Sequence, residues 1–110
     1  MMANQHAVDL IQEEKFGQFN ALVDGADGQV DLSGAHLRGF DMRKCHLAHA
    51  NLSNAYLRAA DIRGLDLSAA NLAGASLKDA KISGVLFPLN FTPDEIMMSL
   101  QHGTRLRPTL

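Results

Sequence analysis

With 110 residues the chain is long enough for one small domain, and its net charge of -2 gives no global pull toward nucleic acid or an anionic membrane. No apolar run approaches the roughly 20 residues of a membrane span, and the amino terminus lacks the basic-then-apolar layout of a signal peptide. A single cysteine, Cys45, excludes an internal disulfide and leaves the cytoplasm as the default compartment, while the absence of tryptophan implies an aliphatic core filled out by alanine.

Residues 1–29 read as an N-terminal helical cap. Val8, Leu10 and Ile11 predict a short helix, Gly17 is expected to interrupt it, and Phe16, Phe19, Leu22 and Val23 form a second apolar stripe. Gly25 and Gly28 then turn the chain toward Val30.

From Val30 a large apolar residue returns every five positions: Leu32, Leu37, Met42, Leu47, Leu52, Leu57, Ile62, Leu67, Leu72, Leu77, Ile82 and Phe87. Two residues before each comes a second apolar one, usually small, as in Ala35, Ala55 and Ala75. A straight strand would throw successive centres to opposite faces, and an α-helix would scatter them around its cylinder. One core can hold them all only if the chain turns a corner every five residues and winds into a solenoid. Residues 20 apart match best. Met42, Ile62 and Ile82 then share one column, while the columns beginning at Leu32 and Leu37 are pure leucine. A coil therefore has four sides, starting at residues 30, 35, 40 and 45, and residues 30–89 make three coils.

The stretches "ANLSN", "ADIRG", "ANLAG" and "ASLKD" resemble the A(D/N)LXX consensus of the pentapeptide-repeat family. The resemblance covers Val30 to Leu89 and implies an all-β solenoid, a right-handed quadrilateral β-helix of three coils with short α-helical caps at both ends. It also implies a bacterial source. Phe40, Cys45 and Leu65 stand at normally small positions and are expected to widen a corner locally.

Residues 90–110 read as a C-terminal helical cap and tail. Thr92 as N-cap, Pro93 at the first helical position and Glu95 three residues after the cap form a capping box, with Gly103 as the stop. Ile96, Met97 and Leu100 are expected to cover the last coil, Met98 to remain outside, and "RLRPTL" to be loosely held. The chain is expected as a monomer or as a homodimer through a cap.

No enzyme motif is present: there is no phosphate-cradling glycine loop, no CxxC or HExxH, and no nucleophile elbow. Cys45 falls at an inward position and reads as a core residue. No cofactor is implied. His46, His49 and Asp66 fall together on the outside of the fourth side, a weak set of metal ligands without an evident supporting shell.

The charges are more informative. Arg38, Arg43, Lys44, Arg58, Arg63, Lys78 and Lys81 all map to the second and third sides, against only Asp41, Asp61 and Asp79 there. Arg38, Arg58 and Lys78 stack as a ladder at roughly 4.8 Å, the spacing of adjacent strands. One explanation is structural, with Arg38 paired to Asp41 and Arg58 to Asp61 around the corner. The other is functional: the ladder, with Arg43, Arg63, His36 and Tyr56, forms a docking strip for an acidic protein or a phosphate backbone.

The expected function is thus a non-enzymatic interaction or scaffold module with an unidentified protein partner and no membrane association. A second reading, implied by quinolone-protecting relatives in the family, is a DNA-mimicking modulator of a type II topoisomerase. Three coils stand only about 14 Å tall against roughly 34 Å for a DNA turn, and their charge is net basic, which disfavours mimicry. Direct nucleic-acid or anion binding through the basic sides is a weaker third reading, since the net charge is small.

Overall fold

The structure, a computed structural model, describes residues 4–109. Its coil is written in hydrogen bonds. Parallel bridges join Asp31 to Asn51, His36 to Tyr56, Asp41 to Asp61, and then Asn51 to Asn71, Tyr56 to Ser76, Asp61 to Lys81 and Asp66 to Leu86. Every pair is 20 residues apart, so each coil rests on the next in the register that the leucine columns predict. The N–H groups of Leu32, Leu37 and Met42 donate upward to the carbonyls of Asn51, Tyr56 and Asp61 at 2.8, 2.9 and 2.9 Å.

These contacts are isolated bridges, not strands. Among the described residues the regular elements are three helices, and the sides of the coil are too short for extended ladders. Of each five residues two belong to a turn, which leaves about one residue per side free to meet both neighbours.

Each corner is a turn closed by a bond such as Ala35 N–H to Leu32 O, 3.1 Å. Eight of the corners put a residue with φ between 58° and 79° at the third turn position, as a type II turn demands. Ala59 holds that conformation without being glycine. The (D/N) of the repeat has a separate task, because its side-chain oxygen accepts the N–H two residues on. Asp31 accepts from Ser33 at 2.9 Å, Asn51 from Ser53 at 3.0 Å and Asn71 from Ala73 at 3.1 Å.

Ten centres, from Leu32 to Leu77, are at most 2% exposed and fill the coil's axis. One edge departs from the ladder: His46 makes no bridge to Asp66. Cys45 and Leu65 stand here in place of the alanine of other columns; at Phe40, also expected to widen a corner, the bridge from Asp41 to Asp61 is made.

α1 (Gln5–Gln12) and α2 (Phe16–Asp24) close the lower end. The break between them lies at residues 13–15, with Glu14 at φ 58°, so Gly17 belongs to the first turn of α2 and does not interrupt a helix as expected. Ile11 and Phe19 are buried under the first coil. Polar atoms of the lid replace a missing coil: Asn4 N–H donates to Asp31 O at 2.7 Å, and the Asn20 amide bonds Lys44 O and His46 N–H at 2.9 and 2.8 Å.

α3 (Pro93–His102) crosses the upper end. Thr92 caps it and Gly103 ends it at φ 71°. The capping box is half made, because the Glu95 carboxylate turns to the N–H and guanidinium of Arg107. Ser99 is fully buried; its Oγ accepts from Leu77 N–H at 2.9 Å and donates to Thr104 O at 2.7 Å. Ile96 and Leu100 pack on the core, whereas Met97 is 47% exposed and does not join the lid. The tail is held, contrary to expectation: Arg105 bridges Ser76 antiparallel, Leu106 is buried, and Thr109 N–H donates to Asn90 O at 2.7 Å. No helix among the described residues is long and apolar enough to cross a membrane.

Candidate docking face

The second side carries two outward columns, His36–Tyr56–Ser76 and Arg38–Arg58–Lys78, fixed by the bridges at His36, Tyr56 and Ser76. The His36 and Tyr56 rings stack with centroids 4.8 Å apart and planes 12° from parallel. From the tail above, the Arg105 guanidinium lies 5.6 Å from the Tyr56 centroid and donates to Tyr56 Oη at 3.0 Å and to Asn54 Oδ1 at 3.4 Å. Tyr56 therefore stacks on His36 and carries a cation at its hydroxyl end, and it remains 39% exposed.

The ladder divides. Lys78 Nζ donates to Gln101 O at the C-terminal end of α3, where a cation is favoured by the helix dipole. Among the described residues, the guanidinium groups of Arg38 and Arg58 have no hydrogen-bond or ion-pair partner, and both residues are exposed. The expected pairing with Asp41 and Asp61 is not formed. Instead Arg43 clasps Asp41 through Nε and Nη2 at 2.9 and 2.8 Å, and Arg63 clasps Asp61 at the same distances. The reason is local. Each aspartate already bonds the N–H two residues on, which brings the side chain of that same residue over the carboxylate.

The arginine bonds hold the Asp41 carboxyl well below the usual carboxylate range and lower that of Asp61. Arg43 also reaches Asp61 at 3.3 Å, so the two arginines and two aspartates of the third side are knitted together. Of the basic residues singled out in the sequence, Arg43 and Arg63 are thus occupied and Lys78 is tied to α3; Arg38 and Arg58 stand free beside Tyr56, and Lys44 and Lys81 on the third side likewise have no side-chain partner among the described residues.

His46, His49 and Asp66 do not converge. His46 Nδ1 meets Asp24 Oδ1 at 2.9 Å, Asp66 is held by the N–H and hydroxyl of Ser68, and the His49 ring packs over Gly28. Among the described residues no group of three or more His, Cys, Asp or Glu is placed to hold a metal ion. Cys45 is 3% exposed, and burial pushes its thiol up to about 12, far from a nucleophile's range.

Arg105 belongs to this face and was invisible to the repeat pattern. A signal was present in "TRLRP": a buried Leu106 between two outward arginines is the alternation of a strand. Comparison with curated proteins and with solved structures returns no significant match. A family model described as Pentapeptide repeats matches residues 29–64 and 50–87 in eight copies, with the five-residue corner and 20-residue coil beneath it. Proteins of this kind are in general non-enzymatic scaffolds with a β-helical solenoid, and this chain belongs to the pentapeptide-repeat family.

Proposed function

We propose that the chain is a non-enzymatic protein-interaction module, a right-handed four-sided prism whose second side docks an acidic segment of a partner protein. The observation that carries this reading is the contrast between neighbouring cations. Arg43 and Arg63 are neutralised within their own corners, yet Arg38 and Arg58 stand unpaired on backbone fixed by bridges. Two like charges stacked one coil apart repel, and a carboxylate bound between them would relieve that cost. The stack of His36, Tyr56 and Arg105 gives the strip a rigid wall, so little order is lost on binding.

Nucleic acid is disfavoured by the same stack. Sequence-tolerant binding of single strands relies on several open aromatic faces, and this side offers one tyrosine, already stacked on His36. A DNA-mimicking modulator of a type II topoisomerase would present carboxylates, whereas here Asp41 and Asp61 are masked by arginines.

The test is affinity capture from the native host's lysate with the wild type, an Arg38→Glu/Arg58→Glu variant and an Arg43→Glu control. Lys78 stays unchanged because it braces α3. A partner retained by the wild type and the control, lost by the double variant, and mapping to an acidic segment is the expected result. Equal retention by all three would overturn the assignment of the second side.

A further inference from the structure

The six arginines of the chain divide evenly. Arg43, Arg63 and Arg107 clasp the carboxylates of Asp41, Asp61 and Glu95. Arg38, Arg58 and Arg105 meet no carboxylate among the described residues, and all three reach the second side around Tyr56. Arg105 is bonded only to neutral oxygens, Tyr56 Oη and Asn54 Oδ1. The carboxylates nearest the strip are engaged elsewhere. Asp41 and Asp61 hold their own corner N–H and an arginine, and Asp79 leans on Lys78 at 3.9 Å.

What the strip offers is a set of donors. Tyr56 Oη accepts from Arg105, and its own proton has no acceptor among the described residues. His36, stacked beneath it, adds an imidazole N–H. With three guanidinium groups around them, these donors fit a ligand group that only accepts and that carries more than one negative charge.

The size of that group follows from where the ladder ends. Arg38 and Arg58 stand one coil apart, about 4.8 Å, and the next rung, Lys78, is spent on Gln101 O. Two rungs match one compact anion and are too few to track a run of charges.

Taking the second side as the docking face, on which this inference rests, we propose that the group it docks is the phosphate of a phosphorylated serine or threonine in the partner protein. Near neutral pH a phosphate monoester carries close to two negative charges and three strong acceptor oxygens. Guanidinium forks match such oxygens in pairs. One carboxylate would neutralise one rung and leave the other, whereas one phosphate neutralises both. The short stem of serine or threonine lays the partner's backbone along the stack of His36 and Tyr56. A nucleic-acid strand presents a phosphate at every nucleotide, which calls for a longer ladder than two rungs and for a chain that is not net acidic.

Fluorescence polarisation at about pH 7.5, above the second phosphate ionisation, tests this with three heptapeptide libraries. Their central residue is phosphoserine, serine or glutamate, and the flanking residues are mixed. The phosphoserine library should bind the full chain at least about tenfold more tightly than the glutamate library, and the serine library should not bind. Arg38→Gln/Arg58→Gln should weaken binding at least about tenfold with its circular dichroism melt retained. Arg58→Lys, which keeps the charge and loses the fork, should weaken it about threefold. Lys81→Gln removes one exposed positive charge from the third side and should bind as the wild type does.

Failure of the phosphoserine library, or equal binding of the glutamate library, would overturn the phosphate alone, because capture by the second side is judged separately with the double-glutamate variant. Inorganic phosphate that competes at the peptides' own concentration, or an oligonucleotide that binds more tightly than they do, would overturn a phosphorylated protein as the source. Binding that survives in Arg38→Gln/Arg58→Gln, or that falls equally in Lys81→Gln, would overturn the proposal and the second side with it.

Discussion

The apolar centres at the lower end of the solenoid are covered on all four sides, and those at the upper end on two. At the lower end Leu32, Leu37, Met42 and Leu47 are at most 2% exposed beneath α1 and α2. At the upper end Leu72 and Leu77 are fully buried under α3 and the tail, yet Ile82 and Phe87 are not. Both lids use the same device, a buried or half-buried polar side chain in place of the absent coil: Asn20 below, Ser99 above. The difference is one of coverage. The lower lid covers every apolar centre beneath it, whereas the upper lid leaves Ile82 and Phe87 partly exposed.

The largest expected effect tests that difference in coverage. Phe19→Ala should cost about 3–5 kcal/mol in urea unfolding, the usual range for a fully buried aromatic. Phe87→Ala, at a partly exposed centre, should cost less than half as much for the monomer. Equal losses would mean that the upper end is as well packed as the lower. Next, Ser99→Ala leaves Leu77 N–H buried without an acceptor and should cost about 1–3 kcal/mol. Asn20→Ala, whose partners are more exposed, should cost about 1 kcal/mol or less. A reversed order would break the parallel between the two polar plugs.

A subtler test uses pH. The corner hydrogen bonds from Ser33 and Ser68, and the arginine clasps of Asp41 and Asp61, hold these carboxyls below their unfolded values. Arg107 does the same to Glu95 in the upper lid. Groups depressed in the folded state contribute stability above the unfolded carboxylate range near about pH 4 and lose it as pH falls through their folded values. The melting temperature should therefore be flat from neutrality to about pH 5 and fall below about pH 4. Asp41→Asn with Asp61→Asn should shrink that acid-side drop, since the corner N–H bonds survive and the titration does not. The smallest effect is at Ala59, whose φ of 58° suits glycine; Ala59→Gly should raise stability by up to about 1 kcal/mol.

The coil was legible because its period is short and its residues speak locally. Leucine at every fifth position sets the corner, and the asparagine or aspartate before it accepts its own corner's N–H, as Asn71 does from Ala73. The lids were legible as helices but not as plugs. Nothing in the sequence says that Asn20 meets Lys44 and His46, or that Ser99 rather than Met97 turns inward, because those pairings depend on how a helix is rotated over the coil. On the docking face the repeat correctly stacked Arg38 on Arg58 but assigned their carboxylates wrongly. Spacing suggested a pair three residues apart, and the corner geometry brought Arg43 and Arg63 over the aspartates first. Arg105 lies outside the repeat altogether and reaches Tyr56 only because the tail folds back on Ser76.

The half-open end is tested most directly by native-state amide exchange at two pairs of residues in the same column, one coil apart. Ile62 and Gly64 N–H donate to Lys81 O and Ser83 O, while Ile82 and Gly84 N–H meet nothing among the described residues. A half-open end predicts strong protection at Ile62 and Gly64 and near-free exchange at Ile82 and Gly84. Equal protection of both pairs would contradict it, and would mean that the upper end is sealed.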